Sequence, residues 1–491
     1  MKNSITRKIM VAILPVFLLF AACDDFLEKD PYYATPTENI TSSYSNLKIA
    51  LTGLYNHLTD LDYLGKNFIL SADIRADDTN LKIENSNRMT AQYKYTLTDG
   101  SGDPQYAWGI MLKVLNQANI ILSAIDNVED GTQAERDQLK GEALTIRAMV
   151  LFDMARQFAQ PYNLPSSAGS IAAGTADGNG GHLGVPVLTS PTDDPFSLFP
   201  ERKTVKEVYD QVLADLDAAV QLMPQASNPN FINGNTALAL RARVKLYKED
   251  WAGAANDATS VIESGNYELL SADAYIPSWG KENTSESIFE LALTKSTYLG
   301  TTALGYMYDT RGYGDMVASS ALLDLFEEGD VRGVVKQGEP DAGPPDGELM
   351  FYEVDGLVYT NKYPGRDGTA GLDNTKIIRL SEMYLIRAEA NFEAGTSIGA
   401  APLDDLNAIR TNRDASVFTE IDATKIENER RRELCFEGHR LFDILRKGKD
   451  LERGDDYWAA QSVSFPNELF IYPIPDNEMD VNPNMVQNPG Y

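Results

Sequence analysis

Apolar positions along this chain recur mostly at helical spacing. Starting from Leu144, the residues Ala148, Leu151, Ala155 and Phe158 fall on one face of a helix. Val205, Val208, Val212, Leu216, Val220 and Met223 repeat the pattern. Thr204 and Glu207 ahead of them have the form of a capping box, in which two side chains satisfy the free N–H groups of a helix start. Thr424 with Glu427 predicts another start, for a helix carrying Leu434, Gly438, Leu441 and Leu445 on one side. A shorter pattern occurs three times. Ile146-Arg147-Ala148 before Phe152 matches Leu240-Arg241-Ala242 before Leu246, and both match Ile386-Arg387-Ala388 before Phe392. A small alanine one turn before a large apolar residue lets two helices approach closely, as helix-hairpin repeats require.

Two of the three copies lead into a second helix. One follows the turn at Glu249-Asp250, with Trp251, Ala255, Ala258 and Ile262 and a stop at Gly265; the other carries Leu403, Leu406 and Ile409. The copies stand 94 and 146 residues apart, so long insertions separate them, and insertions on one face of a helical scaffold are where binding surfaces sit. Ser166 to Asn179 is rich in Ser, Ala and Gly, and Gly180 to Val187 reads as a loop closing onto a short extended segment. Thr294 to Asp315 places tyrosines among glycines, and Gln337 to Gly347 is rich in Pro, Gly and acid. The fold class this predicts is mainly α, a tetratricopeptide-like helical-hairpin scaffold with long irregular loop insertions and a few short strands.

The N-terminus bears on the compartment. Lys2, Arg7 and Lys8 precede an apolar run from Ile9 to Phe20, which is too short to span a bilayer and has the length of a secretion-signal core. It ends in Leu19-Phe20-Ala21-Ala22-Cys23, a lipobox whose thiol would carry diacylglycerol. Residues 1–22 are therefore expected to be a signal peptide and 23–40 a lipidated tether. Residues 41–491 are expected to form one globular domain, with an N-terminal part to about 270 and a C-terminal part from 271. No later stretch is expected to reach the length of a transmembrane helix. Cleavage would take the net charge from −29 to −32, because Lys2, Arg7 and Lys8 leave and no acidic residue does. Such a chain repels phosphate backbones and anionic lipid, which disfavours nucleic acid as a partner and makes the anchor covalent. Cys435 is the one cysteine besides Cys23, so the 43% of hydrophobic residues must hold the fold without a disulfide.

Catalytic patterns are weak. Gly395-Thr396-Ser397-Ile398-Gly399 has nucleophile-elbow spacing but joins two helices where that mechanism needs a strand before the turn. His57, His182, His439 and Cys435 have no zinc-ligand spacing, and Asp177-Gly178-Asn179-Gly180 begins like a calcium loop without the later acidic residue. His439 and Cys435 are expected to share one helix as packing groups. With 72 acidic residues, paired carboxylates carry no information about hydrolysis. Arg430 to Glu433 alternates with Glu427, Glu429 and Glu437, which predicts ion pairs within a helix. No cofactor and no metal is expected.

Several stretches, in order, resemble the SusD/RagB family: Asp25-Phe26-Leu27-Glu28 with Pro31 after the lipobox; Trp108 to Leu122; Glu142 to Phe152; Ile377 to Asn391; Glu429 to Gly448; and Tyr472-Pro473-Ile474-Pro475 through Gln487-Asn488-Pro489-Gly490-Tyr491. The resemblance implies a non-catalytic lipoprotein of the outer membrane, facing the cell exterior. It would bind a nutrient oligosaccharide and deliver it to a TonB-dependent transporter. A peptide-binding member of the same family, or a surface glycoside hydrolase, are the alternatives.

Ligand contacts are expected on inserted loops, where a ring stacks on sugar C–H faces and polar groups bond the hydroxyls. Asp73, Arg75, Asp77 and Asn80 gather hydroxyl-binding groups in a part of the chain where the resemblance implies ligand contacts. Trp279, Tyr298, Tyr306, Tyr308 and Tyr313, with Arg311, place rings in or beside loops, whereas Trp108 and Trp251 read as core.

Overall fold

The computed structural model describes residues 41–192, 198–339, 342–343, 350–454 and 462–491; the signal peptide, Cys23 and the tether to residue 40 lie outside the described residues. The longer helices are α1 (Tyr44–Leu58), α2 (Asn67–Ile74), α3 (Gly102–Ala124), α4 (Gln133–Phe158), α5 (Val205–Leu222), α6 (Gly234–Tyr247), α7 (Trp251–Ile262), α8 (Leu380–Ala394), α9 (Pro402–Thr411), α10 (Ala423–Leu434) and α11 (Arg440–Arg446). Three packed pairs, α4 with α5, α6 with α7 and α8 with α9, form the scaffold. The first copy of the repeat therefore also has its second helix, displaced by the insertion over residues 159–204.

The recurring arginine explains the repeat better than the alanine alone. Each one forks onto an aspartate of the second helix: Arg147 onto Asp215 at 2.7 and 2.6 Å, Arg241 onto Asp257 at 2.8 and 2.7 Å, and Arg387 onto Asp405 at 2.9 and 2.7 Å. Planar guanidinium against planar carboxylate fixes the rotation of one helix against the other.

Helix α4 is buried on nearly every side from Gly141 to Ala155, so the one face legible in the sequence is part of a fully enclosed helix. Thr132 with Glu135 starts it with a capping box, and Thr204 with Glu207 starts α5 as expected. Helix α10 begins two residues earlier than expected, because the Asp422 carboxylate, and not Thr424, accepts from the Lys425 N–H at 2.7 Å. The single helix expected through Leu445 is two. The chain breaks at Cys435–His439, where Phe436 and Gly438 take φ of +62° and +76°, so His439 and Cys435 lie in the connection. A Cβ at Gly438 would meet the Ile69 Cα at 3.0 Å, and the left-handed turn needs glycine there. Gly395, at φ +64°, caps α8 and makes the elbow-like segment a hairpin turn between helices.

The segment Gly102–Asn127, built on α3, is long and apolar enough to cross a membrane by length and composition, which corrects the expectation that no such stretch follows the signal. Half of its most apolar window is buried inside the protein, with Met111, Val114, Leu115, Ala118 and Ile121 in the core.

Strands are short. Thr79–Leu81 pairs antiparallel with Met316–Ala318, and Ser287–Leu291 with Thr375–Arg379. Phe351–Val354 and Leu357–Thr360 form a hairpin whose Asp355-Gly356 turn has positive φ at both residues, and Val335–Gln337 adds parallel to its first strand. The extended segment expected after Gly180 is reduced to single bridges, Gly174 to His182 and Leu183 to Thr204. The main hydrophobic cluster runs from Leu47 to Met485, and a smaller one packs α8, α9 and α10 through Leu385, Leu406, Ile409 and Ile426.

Candidate functional site

The loops between the helical pairs divide into a buried charged layer and an exposed aromatic face. At the centre of the layer, the Glu433 carboxylate accepts from Arg332, Arg379 and Arg413 at 2.9–3.1 Å, all with side chains 3% exposed or less. Glu429 takes Arg332 and Arg410 at 2.8 Å each, Glu286 takes Arg379 and Arg413, and Glu437 takes Lys362 and Arg379. The ion pairs expected within α10 thus run mainly between elements. Burial pushes the Glu433 carboxyl up, but Arg413, Arg379 and Arg332 outweigh it and hold it well below the usual carboxylate range.

Residues 71–80 belong to this layer. Asp73 is 2% exposed and accepts from the Tyr308 hydroxyl at 2.8 Å and the Gly438 N–H at 2.9 Å. Burial pushes its carboxyl up to about 7. Asp77 forks onto Arg440 at 2.6 and 2.8 Å, and Asp78 pairs with Arg431 at 2.6 Å. The Arg75 guanidinium lies between the Tyr95 and Tyr472 rings and donates to the Leu469 carbonyl at 2.9 Å. Asn80 is buried in its short strand and accepts from the Tyr93 hydroxyl. The expectation that Asp73, Arg75, Asp77 and Asn80 face a ligand is therefore corrected: their polar atoms are inside, bonded to protein groups contributed by distant segments.

Two of the rings are also inside. Tyr308 is fully buried, stacked on Tyr363 at 5.2 Å and 13°. Trp279 is 5% exposed, with Lys362, Arg379 and Lys376 around its ring at 4.7, 5.1 and 5.5 Å. Both shift from ligand contact to packing, because residues 359–380 and 433–440 cover loops that would otherwise be open. Trp108 is core as expected, and Trp251 is half-buried.

Tyr298, Tyr306, Tyr313 and Arg311 remain at the surface, and three of them come together in one turn. The short helix Leu304–Tyr308 carries Tyr306, and the chain then reverses through Asp309–Gly312. The Tyr313 N–H donates to the Tyr306 carbonyl at 2.8 Å, which sets the two rings edge to face at 5.1 Å and 85°. A Cβ at Gly312 would meet that carbonyl at 2.4 Å and the Tyr306 ring at 2.8 Å, so the pair depends on glycine there. Arg88 lies over the Tyr313 ring at 3.8 Å and is itself held by Asp315 at 2.6 and 3.0 Å. Burial of Asp315 outweighs the pull of Arg88 and raises its carboxyl above the ordinary value. Arg311 donates to Asp309 and to the Pro364 carbonyl at 2.6 Å, tying the turn to the 364–373 loop. Tyr298 stands half-exposed in the neighbouring loop, its N–H donating to the Thr294 carbonyl. Sequence reasoning missed Arg88, which lies far from the tyrosines in the chain and carries no local signal.

Asp177 accepts from the Asn179 and Gly181 N–H groups at 2.8 and 3.0 Å, a turn closed by its own carboxylate. The buried His182 ring bonds the Gln160 carbonyl at 2.9 Å.

Comparison with known proteins agrees with this architecture. A model of the SusD family matches residues 352–491, and a second, described as starch-binding associating with outer membrane, matches residues 25–246. The chain is 23% identical to SusD-like protein P2 of Formosa agariphila, over 99% of this chain and 100% of that one. It is 31% identical to the starch-binding protein SusD of Bacteroides thetaiotaomicron over 121 residues, 23% of this chain and 21% of that one. A SusD superfamily protein of Bacteroides vulgatus superposes with a TM-score of 0.80 at 29% identity, covering 92% of this chain and 99% of that one. Another, from Bacteroides thetaiotaomicron, is 30% identical with a TM-score of 0.78, covering 91% of this chain and all of that structure; the chain belongs to the SusD family.

Proposed function

We propose that this protein is a glycan-binding lipoprotein of the outer membrane, lipidated at Cys23, which holds an oligosaccharide on its exposed tyrosine face and passes it to a TonB-dependent transporter. The observation that carries the reading is the Tyr306–Tyr313 pair. Its rings are locked by a backbone hydrogen bond and a stacked arginine yet stand at the surface, with Tyr313 36% exposed. Rings fixed before the ligand arrives lose little freedom on binding, and Arg88 and Arg311 border them with donors for hydroxyl groups. Tyr298 extends the surface. The names of relatives support the class of ligand: one matched model is described as starch-binding and associating with the outer membrane, and one relative is a starch-binding protein. Glu429, Glu433, Glu437 and Asp77 are bound to arginines, and Asp73, whose carboxyl is raised, is enclosed against Tyr308 and Gly438 away from the surface, which favours binding over hydrolysis.

The test is a screen of neutral oligosaccharides and peptides by calorimetric titration, with product analysis for hydrolysis. Saturable binding of an oligosaccharide without turnover is expected; binding of peptides alone, or release of shorter sugars, would replace the reading. For the transporter step, co-purification with a TonB-dependent transporter from membranes in mild detergent is expected. Cys23→Ser should release the protein from the membrane fraction.

A further inference from the structure

A second surface feature is lined by none of Tyr298, Tyr306 and Tyr313. A cleft of about 230 Å³ opens between α1, the segment before α6 and the strand Ser287–Leu291. Thr52, Tyr55 and Asn56 line it from α1, Asn230 and Phe231 from the opposite wall, and Thr297 from its end.

The lining is almost free of charge. In a chain with 72 acidic and 43 basic residues, Glu290 is, among the described residues, the one charged residue that lines the cleft. Its carboxylate is already engaged, accepting from the Asn283 N–H, the Asn374 amide and the Ser287 hydroxyl at 2.8–2.9 Å. What remains is amide, hydroxyl and ring. Phe231 is 54% exposed, an unfavourable place for a ring with no ligand, and it is fixed edge to face against Tyr55 at 5.8 Å and 82°. Tyr55 is itself held, donating to Glu142 at 2.5 Å and accepting from the Ile232 N–H at 2.8 Å. The Asn230 Oδ1 is buried without a hydrogen-bond partner among the described residues, an acceptor left open.

We propose that this cleft is a second saccharide-binding site, for a neutral sugar unit. The Phe231 ring takes a C–H face of the sugar, the Asn230 Oδ1 accepts from a ring hydroxyl, and the Asn56 amide and Thr297 hydroxyl bond further hydroxyls. Absence of a free charge in the lining excludes charge pairing as the recognition mode and disfavours uronic acids. The proposal rests on the glycan-binding reading of the protein, and the two can fail separately.

The test places an environment-sensitive fluorophore in the cleft through Thr52→Cys on the full chain carrying Cys23→Ser; Cys435, the other cysteine, is buried and spared by the label. The probes are maltohexaose, cellohexaose, xylohexaose and mannohexaose, with hexagalacturonate as the charged control. Expected is a saturable emission change with at least one neutral hexasaccharide and a weaker one with hexagalacturonate. Phe231→Ala should weaken the response about tenfold, the scale of one lost ring contact, whereas Tyr306→Ala should leave it within about twofold. Calorimetric binding at the tyrosine face with a silent cleft label would overturn the second site and leave the first. Silence in both measurements would overturn both readings. A response abolished by Tyr306→Ala and untouched by Phe231→Ala would also overturn the proposal, since the label would then be reporting the tyrosine face.

Discussion

Residues 71–80 and 298–315 are both loop-rich stretches dense in groups that could bond a sugar, and the fold treats them in opposite ways. In the first, Asp73, Arg75, Asp77 and Asn80 are each 7% exposed or less, and their polar atoms meet Tyr308, Leu469, Arg440 and Tyr93. In the second, Tyr306 and Tyr313 form a fixed pair at the surface with Arg88 stacked outside it. The difference comes from what covers each stretch. The α10–α11 connection, the strand Met316–Ala318 and residues 469–472 close over residues 71–80, so their polarity must be satisfied internally; over the tyrosines only Arg88 is stacked among the described residues, leaving Tyr313 36% exposed and Tyr306 half-buried. Polar composition alone therefore does not separate a binding surface from a buried network.

Breaking the buried side should cost most. Glu433 bridges three arginines, so Glu433→Ala leaves this fully buried cluster short of one negative charge although each arginine keeps another carboxylate, and a loss of about 3–5 kcal/mol is expected in denaturant melts. A variant as stable as wild type would mean that the layer contributes nothing to the fold.

The helix-pair clasps come next. Arg387→Ala strands Asp405, which is 1% exposed, and should cost about 3 kcal/mol. Arg241→Ala should cost about 1 kcal/mol, because its side chain is 14% exposed and Asp257 keeps Lys245 at 2.7 Å. Arg387→Met with Asp405→Leu should recover most of the first loss, since replacing both partners of a buried pair by apolar groups is close to neutral. Equal losses at both arginines, or no recovery in the pair, would contradict the clasp.

The pH dependence sharpens the contrast further. Asp73 has a folded value of about 7 against an ordinary 3.8, so the neutral carboxyl is the form the fold favours. Its contribution is complete below about pH 4 and is lost as pH rises through 7, at up to about 1.4 kcal/mol per pH unit. Melts of Asp73→Asn and wild type between pH 4 and 7 should therefore show wild type losing ground to the variant as pH rises. Parallel curves would show that Asp73 is not buried as described. Glu389 and Asp443, held at about 2 by Arg446 and Arg430 against the effect of burial, act in the opposite sense and lose their contribution only as pH falls toward 2.

The scaffold was legible because its signals are local. Apolar spacing around Leu151 and Val212, the Thr204–Glu207 box and the three Arg-Ala steps lie within one or two helical turns. The arginines' partners were half-legible: Asp257 and Asp405 follow them by 16 and 18 residues, but Asp215 follows Arg147 by 68, across an insertion that hides the pattern. The break after Leu434 was not legible, because Leu434, Gly438, Leu441 and Leu445 keep helical spacing; the turn is imposed by Asp73 binding the Gly438 N–H from 365 residues away. The same distance effect hid the burial of Tyr308 and Trp279. Their local sequence looks like open loop, and the segments that enclose them are remote. Tyr306 and Tyr313 were legible as candidates, while Arg88 was not.

On the proposed reading, the tyrosine face holds the ligand and the buried charged layer holds the fold. Calorimetric titration of whichever oligosaccharide the screen identifies, run in parallel on wild type, Tyr306→Ala, Tyr313→Ala and Asp77→Asn with their melting temperatures, tests it most directly. Each tyrosine variant should bind about tenfold more weakly with its melting temperature unchanged, the scale of one lost ring contact. Asp77→Asn should melt lower and bind as wild type does. Wild-type affinity in both tyrosine variants, with weakened binding in Asp77→Asn, would contradict the claim.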